Sequence, residues 1–141
     1  MNIELHEMVI EDFDKVYALW KSSDELILNA DDSRECILQF LTRNPGLSFV
    51  ACNGRTIVAA ALCGHDGRHG YIHNLVVSKE FRKKGIGKSL VGRCMFELIK
   101  IGIHRCHLYV ESDNEGGINF WKKLGWEKRV EMISMSQPLR P

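Results

Sequence analysis

The chain opens on an alternating run, "IELHEM", whose apolar positions recur every second residue and predict a strand over 3–8. In "EDFDKVYALWKSS", Phe13, Val16, Tyr17 and Trp20 fall at helical spacing, which predicts a helix over 11–23. Residues 24–33, "DELILNADDS", interrupt the pattern, and Ser33 is placed to cap a second helix through "RECILQFLTRN". The run from Leu47 to Ser78 reads as a three-strand meander. Asn53-Gly54 forms its first turn, of type I′, and the polar "HDGRHG" forms its second. Leu90, Val91, Cys94, Met95, Leu98 and Ile99 make an apolar stripe along a further helix that Gly102 closes. "HRCHLYVE" then predicts a strand, "NEGGINFWKKLGW" a short helix and "EKRVEMISMSQ" a last strand.

The order β-α-α-β-β-β-α-β-α-β implies an α/β (α+β) fold with a largely antiparallel sheet, in a single domain over residues 1–141. The strand–helix–strand crossover of residues 71–110 makes those two strands parallel. A chain of 141 residues, 45% hydrophobic and 26% charged, can bury one core without disulfide or metal staples. A net charge of +1 gives no global field for nucleic acid, so an anion site has to be local. The five cysteines form no C-x-x-C pair and lie mostly in apolar runs, as small buried residues of a reducing compartment. They share no ligand spacing with the six histidines, so no metal is expected. Acids stand near the N-terminus where a signal peptide has bases, and no apolar run reaches membrane-spanning length. A cytoplasmic protein with no membrane association is the expectation.

The candidate chemistry lies in "VVSKEFRKKGIGKSLVG". A Walker loop needs glycine where Arg82 stands, and a dinucleotide fingerprint needs glycine where Leu90 stands, so neither fits. What remains is Arg82-Lys83-Lys84-Gly85-Ile86-Gly87 between a strand and a helix start. Two glycines let the backbone approach a ligand closely, and the first helix amides point out unpaired toward a pyrophosphate. Lys83, Lys84 and Lys88 add positive charge.

This segment resembles the central signature of the GNAT (Gcn5-related) N-acetyltransferases, a strand ending L-x-V followed by [Q/R]-x-x-G-x-[G/A]. Here these are Leu75-Val76-Val77 and Arg82 to Gly87. "LYVESDNEGGINFWKKLGWE" resembles the second family motif, and the likeness spans essentially the whole chain. It implies helices on both faces of a mixed sheet whose parallel strand pair splays apart. It also implies transfer of an acetyl group from acetyl-CoA to a primary amine, of a small molecule or a protein, by direct attack in a ternary complex. The resemblance places acetyl-CoA on Leu75, Val76 and Val77 and on Arg82, Lys83, Lys84, Gly85, Ile86, Gly87, Lys88 and Ser89. Asn114 and Trp121 stand on the cofactor side of the closing helix, and Asn114 suits an N-cap as well. The Val77 amide is implied as the donor that polarises the thioester carbonyl.

A lysine-like acceptor, with a pKa of about 10, has to lose a proton before it attacks. His73, on the strand face expected to carry Tyr71, Leu75 and Val77, is the first candidate base, and Glu111 is the second. Relatives carry a tyrosine acid where this chain has Trp121, whose indole cannot supply a proton. Tyr109, Tyr71 or water remains as the acid, or the thiolate leaves unassisted. The acceptor would meet residues 20–34, acidic through Asp24, Glu25, Asp31 and Asp32, together with the "HDGRHG" turn. Trp20 either walls that pocket or packs in the core. The alternatives are an acyl-CoA sensor without turnover, which the tryptophan favours, and a nucleotide-binding protein, which Arg82 opposes. A monomer and a homodimer are both compatible with the sequence.

Overall fold

The computed structural model describes residues 2–139, so Met1, Arg140 and Pro141 of the expected domain lie outside the described residues. Two compact units are present, one ending at Tyr109 and the other beginning at Val110. The first holds β1 (Ile3–Glu7), α1 (Phe13–Lys21), α2 (Arg34–Arg43), β2 (Phe49–Asn53), β3 (Thr56–His65), β4 (Gly70–Val77), α3 (Ile86–Lys100) and β5 (Cys106–Leu108). The second holds α4 (Glu115–Lys123). The sheet runs β1-β2-β3-β4-β5. Its first three pairings are antiparallel, and β4 with β5 is parallel.

Helices cover both faces of this sheet. Val16, Leu19 and Trp20 of α1 and Ile37 of α2 pack with Val50, Ala60, Leu62 and Val76 on one face. On the other, α3 buries Leu90, Val91, Cys94 and Leu98, and its Arg93 guanidinium lies 4.5 Å from the centre of the Phe49 ring. Ser33 caps α2, accepting the Cys36 amide at 3.2 Å. All five cysteines are free, and burial pushes the Cys106 thiol up to about 11.

Four sequence expectations need correction. Asn53 pairs with Thr56, so Gly54 and Arg55 are the central turn residues, and of the two only Gly54 has positive φ, at +63°. That is the pattern of a type II′ turn, with glycine first, in place of I′. In the α3 stripe, Met95 and Ile99 are exposed, because the helix turns its face toward Ile86, Leu90, Cys94 and Leu98. The fifth strand is only three residues long. The last strand is missing: residues 127–139 form none, although Val130 and Met132 alternate as a strand would. A strand exists through ladder bonds, and among the described residues the second unit offers no partner strand. Val130, Met132, Ile133 and Met135 are left exposed.

A fifth correction bears on the site. The β3–β4 register shifts between Ala60 and Leu62, with Ala60 opposite Val76 and Leu62 opposite His73. Two residues, Asn74 and Leu75, therefore stand against Ala61, which is a β-bulge. Asn74 lies in the left-handed region at φ +52°. Tyr71, His73, Leu75 and Val77 do not share one face, because the bulge shifts the two-residue period by one. His73 instead shares its face with Val76, the face covered by α1 and α2.

Candidate active site

The bulge and the end of the β4–β5 pairing together expose a length of backbone. Parallel pairing stops at Ile72 opposite Leu108, and the Ser78 amide donates toward β3, to the Val58 carbonyl at 2.7 Å. Backbone groups alternate between the two edges of a strand, so those of Val76 turn to β3 and those of Leu75 and Val77 turn to the open edge. The Val77 carbonyl accepts from Arg82 Nε at 3.0 Å, and the Val77 N–H points to the same edge. Arg82 thereby ties the loop to the strand end.

The loop then passes through the left-handed region twice, at Lys83 (φ +61°) and Gly85 (φ +82°). Gly85 starts α3 without a side-chain cap, and the Ser89 amide donates to the Gly85 carbonyl at 3.0 Å. The amides just before Ser89 are those an α-helix leaves without an internal acceptor, at its positive end. Ile86 and Gly87 are buried, while Lys83, Lys84, Lys88 and Ser89 are exposed around them. An anion with several oxygens fits this arrangement.

Beside the open edge, on the α1–α2 face, stands an aromatic row. His73 and Tyr71 are stacked with centroids 6.1 Å apart, and the Phe40 ring of α2 meets His73 edge-on at 6.0 Å. Tyr71 lies 5.6 Å from His107, whose Nε2 is 3.3 Å from His69 Nδ1. Burial lowers the His73 pKa below its ordinary value, and the Asp32 carboxylate only partly opposes this. The shift favours the neutral imidazole, the form a proton acceptor has to have.

Two polar groups meet at the bulge. The Trp20 indole donates from Nε1 to the Asn74 carbonyl at 3.1 Å, and Asn74 Nδ2 donates to Asp32 Oδ1 at 2.8 Å. Trp20, 0% exposed, belongs to the core. Sequence reasoning missed Asn74 and Phe40. The available signal was an asparagine inside an apolar strand, since asparagine is the side chain that best tolerates the left-handed region.

Tyr109 ends the first unit and is 70% exposed. Glu111, Asn114 and Trp121 belong to the second unit. There Asn114 Oδ1 accepts the Gly117 amide at 2.8 Å as the cap of α4. The Trp121 ring packs against Phe120 at 5.1 Å and Trp126 at 5.0 Å. In the "HDGRHG" turn, Asp66 Oδ1 accepts the Arg68 and His69 amides at 2.8 Å each. These bonds account for its residue types as a turn.

The acetyltransferase (GNAT) family model matches residues 10–126. The chain belongs to this family. GNAT folds among solved structures are similar throughout. Ard1 from Thermoplasma volcanium is 21% identical with a TM-score of 0.78, over 89% of this chain and 82% of that one. PaiA N-acetyltransferase from Thermoplasma acidophilum, in complex with coenzyme A, is 24% identical with a TM-score of 0.77, over 88% and 89%. AAC(6′)-Iy, in complex with the bisubstrate analogue CoA-S-monomethyl-acetylneamine, is 15% identical with a TM-score of 0.79, over 99% and 100%. At these identities the structures establish the GNAT fold, which this chain shares. Among the described residues no helix is long and apolar enough to cross a membrane.

Proposed function

We propose that this GNAT domain is an acetyl-CoA-dependent N-acetyltransferase that acetylates a primary amine by direct attack, with His73 as proton acceptor. The observation that carries this reading is a half-buried His73, its pKa lowered by burial, beside the stretch of β4 that runs on past the end of its pairing with β5. Acetyl-CoA, the donor implied by the family, lies with its pyrophosphate on the loop from Lys83 to Ser89 and its pantetheine arm along Leu75 and Val77. The thioester carbonyl then accepts from the Val77 N–H, where negative charge develops. The acceptor ammonium first loses one proton to solvent. The neutral amine nitrogen then bonds to the carbonyl carbon, and the second proton, which the attached nitrogen carries in excess, passes to His73 Nε2 or Nδ1, directly or through one water. The C–S bond breaks, and the thiolate leaves and is protonated from solvent or a phenol.

The acceptor is cationic in solution and enters from the α1–α2 connection, whose Asp24, Glu25, Asp31 and Asp32 favour it. A small amine and a protein amine both meet this description. The sensor reading is favoured by one observation, the Trp121 ring engaged with Phe120 and Trp126 where relatives have a tyrosine acid.

A thermal melt with CoA, acetyl-CoA and ATP in parallel, followed by thiol release with a panel of primary amines, tests the proposal. A ligand at a hundred times its Kd adds about 2.7 kcal/mol, a shift of several degrees. Stabilisation by both CoA forms but not ATP, with thiol release, is the expected result. CoA binding without release on any amine would leave the sensor reading, and no response to CoA would refute both.

A further inference from the structure

We propose that Asp32 is a positioning residue for the cofactor, acting through Asn74 to hold the Leu75–Val77 edge in register; this rests on the acetyl-CoA reading above. The inference starts from the backbone. A non-glycine residue at φ +52° is in a sparsely populated region and persists when its surroundings hold it there. Asn74 is held from two directions: its carbonyl by the buried Trp20 indole, and its side-chain amide by Asp32.

Asp32 is itself fixed. Its second oxygen, Oδ2, accepts the Asn29 amide at 3.0 Å, and Asn29 Oδ1 accepts the Asp31 amide at 2.8 Å. A closed turn in the α1–α2 connection thus grips one side chain of β4, some forty positions along the chain.

The consequence follows from the period of a strand. If Asn74 reverted to an extended conformation, the extra residue of the bulge would vanish and every backbone group after it would change edge. The Val77 N–H would then turn from the open edge toward β3, where no thioester can reach it. Asp32 therefore decides where the oxyanion donor points without touching the cofactor. Because the α1–α2 connection also borders the proposed acceptor side, an acceptor that orders this turn would tighten the grip on acetyl-CoA.

The charged and titratable groups that face His73 are Asp32 from this turn and Tyr71 from its own strand, with Phe40 its apolar neighbour from α2. Removing the carboxylate would thus also move the acid limb of activity to lower pH, an effect that loss of the bulge lock alone does not produce.

The test is a double-mutant cycle on acetyl-CoA affinity, measured by titration calorimetry on the full chain, with Asp32→Ala, Asn74→Gly and the double variant. Glycine at 74 reaches the left-handed region without a clamp. Asp32→Ala is expected to weaken acetyl-CoA about tenfold in the native background, the scale of one hydrogen bond to a charged group. In the Asn74→Gly background the same change is expected to cost less than about twofold.

Equal losses in both backgrounds, or none in the first, would overturn the proposal. Should Asp32→Ala fail to fold in a melt, Asp32→Leu, of similar shape and without an acceptor, replaces it, with the same cycle and the same criteria. The pH profile of thiol release is expected to shift with Asp32→Ala and not with Asn74→Gly; a shift in both would overturn the separation of roles. Native protein that does not bind acetyl-CoA at all would refute the functional reading itself, an outcome distinct from binding that ignores residue 32.

Discussion

His73→Gln isolates the proton-transfer step. Glutamine keeps a polar side chain of similar reach between Tyr71 and Phe40 and removes the titratable imidazole. The ordinary histidine pKa of 6.5 is lowered here by burial, with Asp32 in partial opposition. At pH 7.5, a group with a pKa at or below about 6.5 is at least about nine-tenths deprotonated, so nearly every molecule carries a competent base. A positioned general base contributes about 10²–10⁴-fold. His73 is only half-buried, so water can take over part of its task, and the lower end applies. We expect kcat/KM at pH 7.5 to fall about 10²-fold, or about 2.7 kcal/mol, while the calorimetric Kd for acetyl-CoA changes by less than about twofold.

The native pH profile, followed by thiol release between pH 5 and 9, should lose activity below about 6.5 as the imidazole protonates. The variant should lack that limb. Stability carries the same sign. The unfolded chain binds this proton more readily than the folded one, so the His73 contribution is intact above about pH 6.5 and is lost as pH falls below it. In His73→Gln, melts at pH 5.5 and 7.5 should differ by less than in native protein. A variant with native kcat/KM across this range, or a native acid limb retained after the substitution, would remove His73 from the mechanism.

Other substitutions probe the frame of the site. A Cβ at Gly70 would stand 2.5 Å from Leu98 Cδ1 in a fully packed layer, so Gly70→Ala should cost about 1–3 kcal/mol and several degrees of Tm; an unchanged melt would contradict the packing described here. Gly85→Ala meets no atom within 4 Å, and its cost comes from φ +82° alone. It should destabilise by about 1–2 kcal/mol and weaken CoA several-fold in calorimetry as the loop relaxes. Asn114→Ala removes the α4 cap and should cost about 1 kcal/mol in a denaturant melt, with Asn114→Ser recovering most of it.

Much of this was legible because hydrophobic period and glycine position are local signals. The stripe of α1, the presence of α3, the Ser33 cap and the loop at Arg82–Gly87 could be read from neighbours within a few residues. What could not be read was set by distant partners. Asn74 adopts its conformation because Trp20 and Asp32 reach it from α1 and the α1–α2 connection, and the strand faces beyond it shift accordingly. Apolar alternation also predicted a strand at Val130 and Met132, since period reports which side of a strand could be buried and not whether a second strand is there to pair with it. The acidic residues of 24–32 were noted as a group, but sequence offered no means to single out Asp32, whose distinction is the distance of one carboxylate from one amide.

The missing tyrosine acid changes less than it first suggests. After the amine attacks, the tetrahedral intermediate divides between two leaving groups, and the better one is the weaker base. A thiolate, with a reference pKa of about 8.5, is a weaker base than an alkyl amine of about 10, so the C–S bond breaks preferentially, and loss of the nitrogen's proton closes the competing exit. That condition shifts the burden from the acid to the base. An attacking nitrogen that keeps its proton still competes with the thiolate by leaving as a neutral amine, whereas one that gives its proton to His73 cannot leave readily. In the mechanism proposed, with Trp121 aligned to the family's tyrosine acid, turnover depends more heavily on His73 as proton acceptor, a role that its burial favours. Tyr71, stacked beside that imidazole with ring centroids 6.1 Å apart, is in the proposed mechanism a secondary proton donor that does not limit the rate. Tyr71→Phe should accordingly lower kcat by no more than several-fold, measured by thiol release at saturating acetyl-CoA, and should leave the acid limb where His73 puts it. A loss as large as that of His73→Gln would mean that protonation of the departing thiolate, and not deprotonation of the amine, limits the reaction.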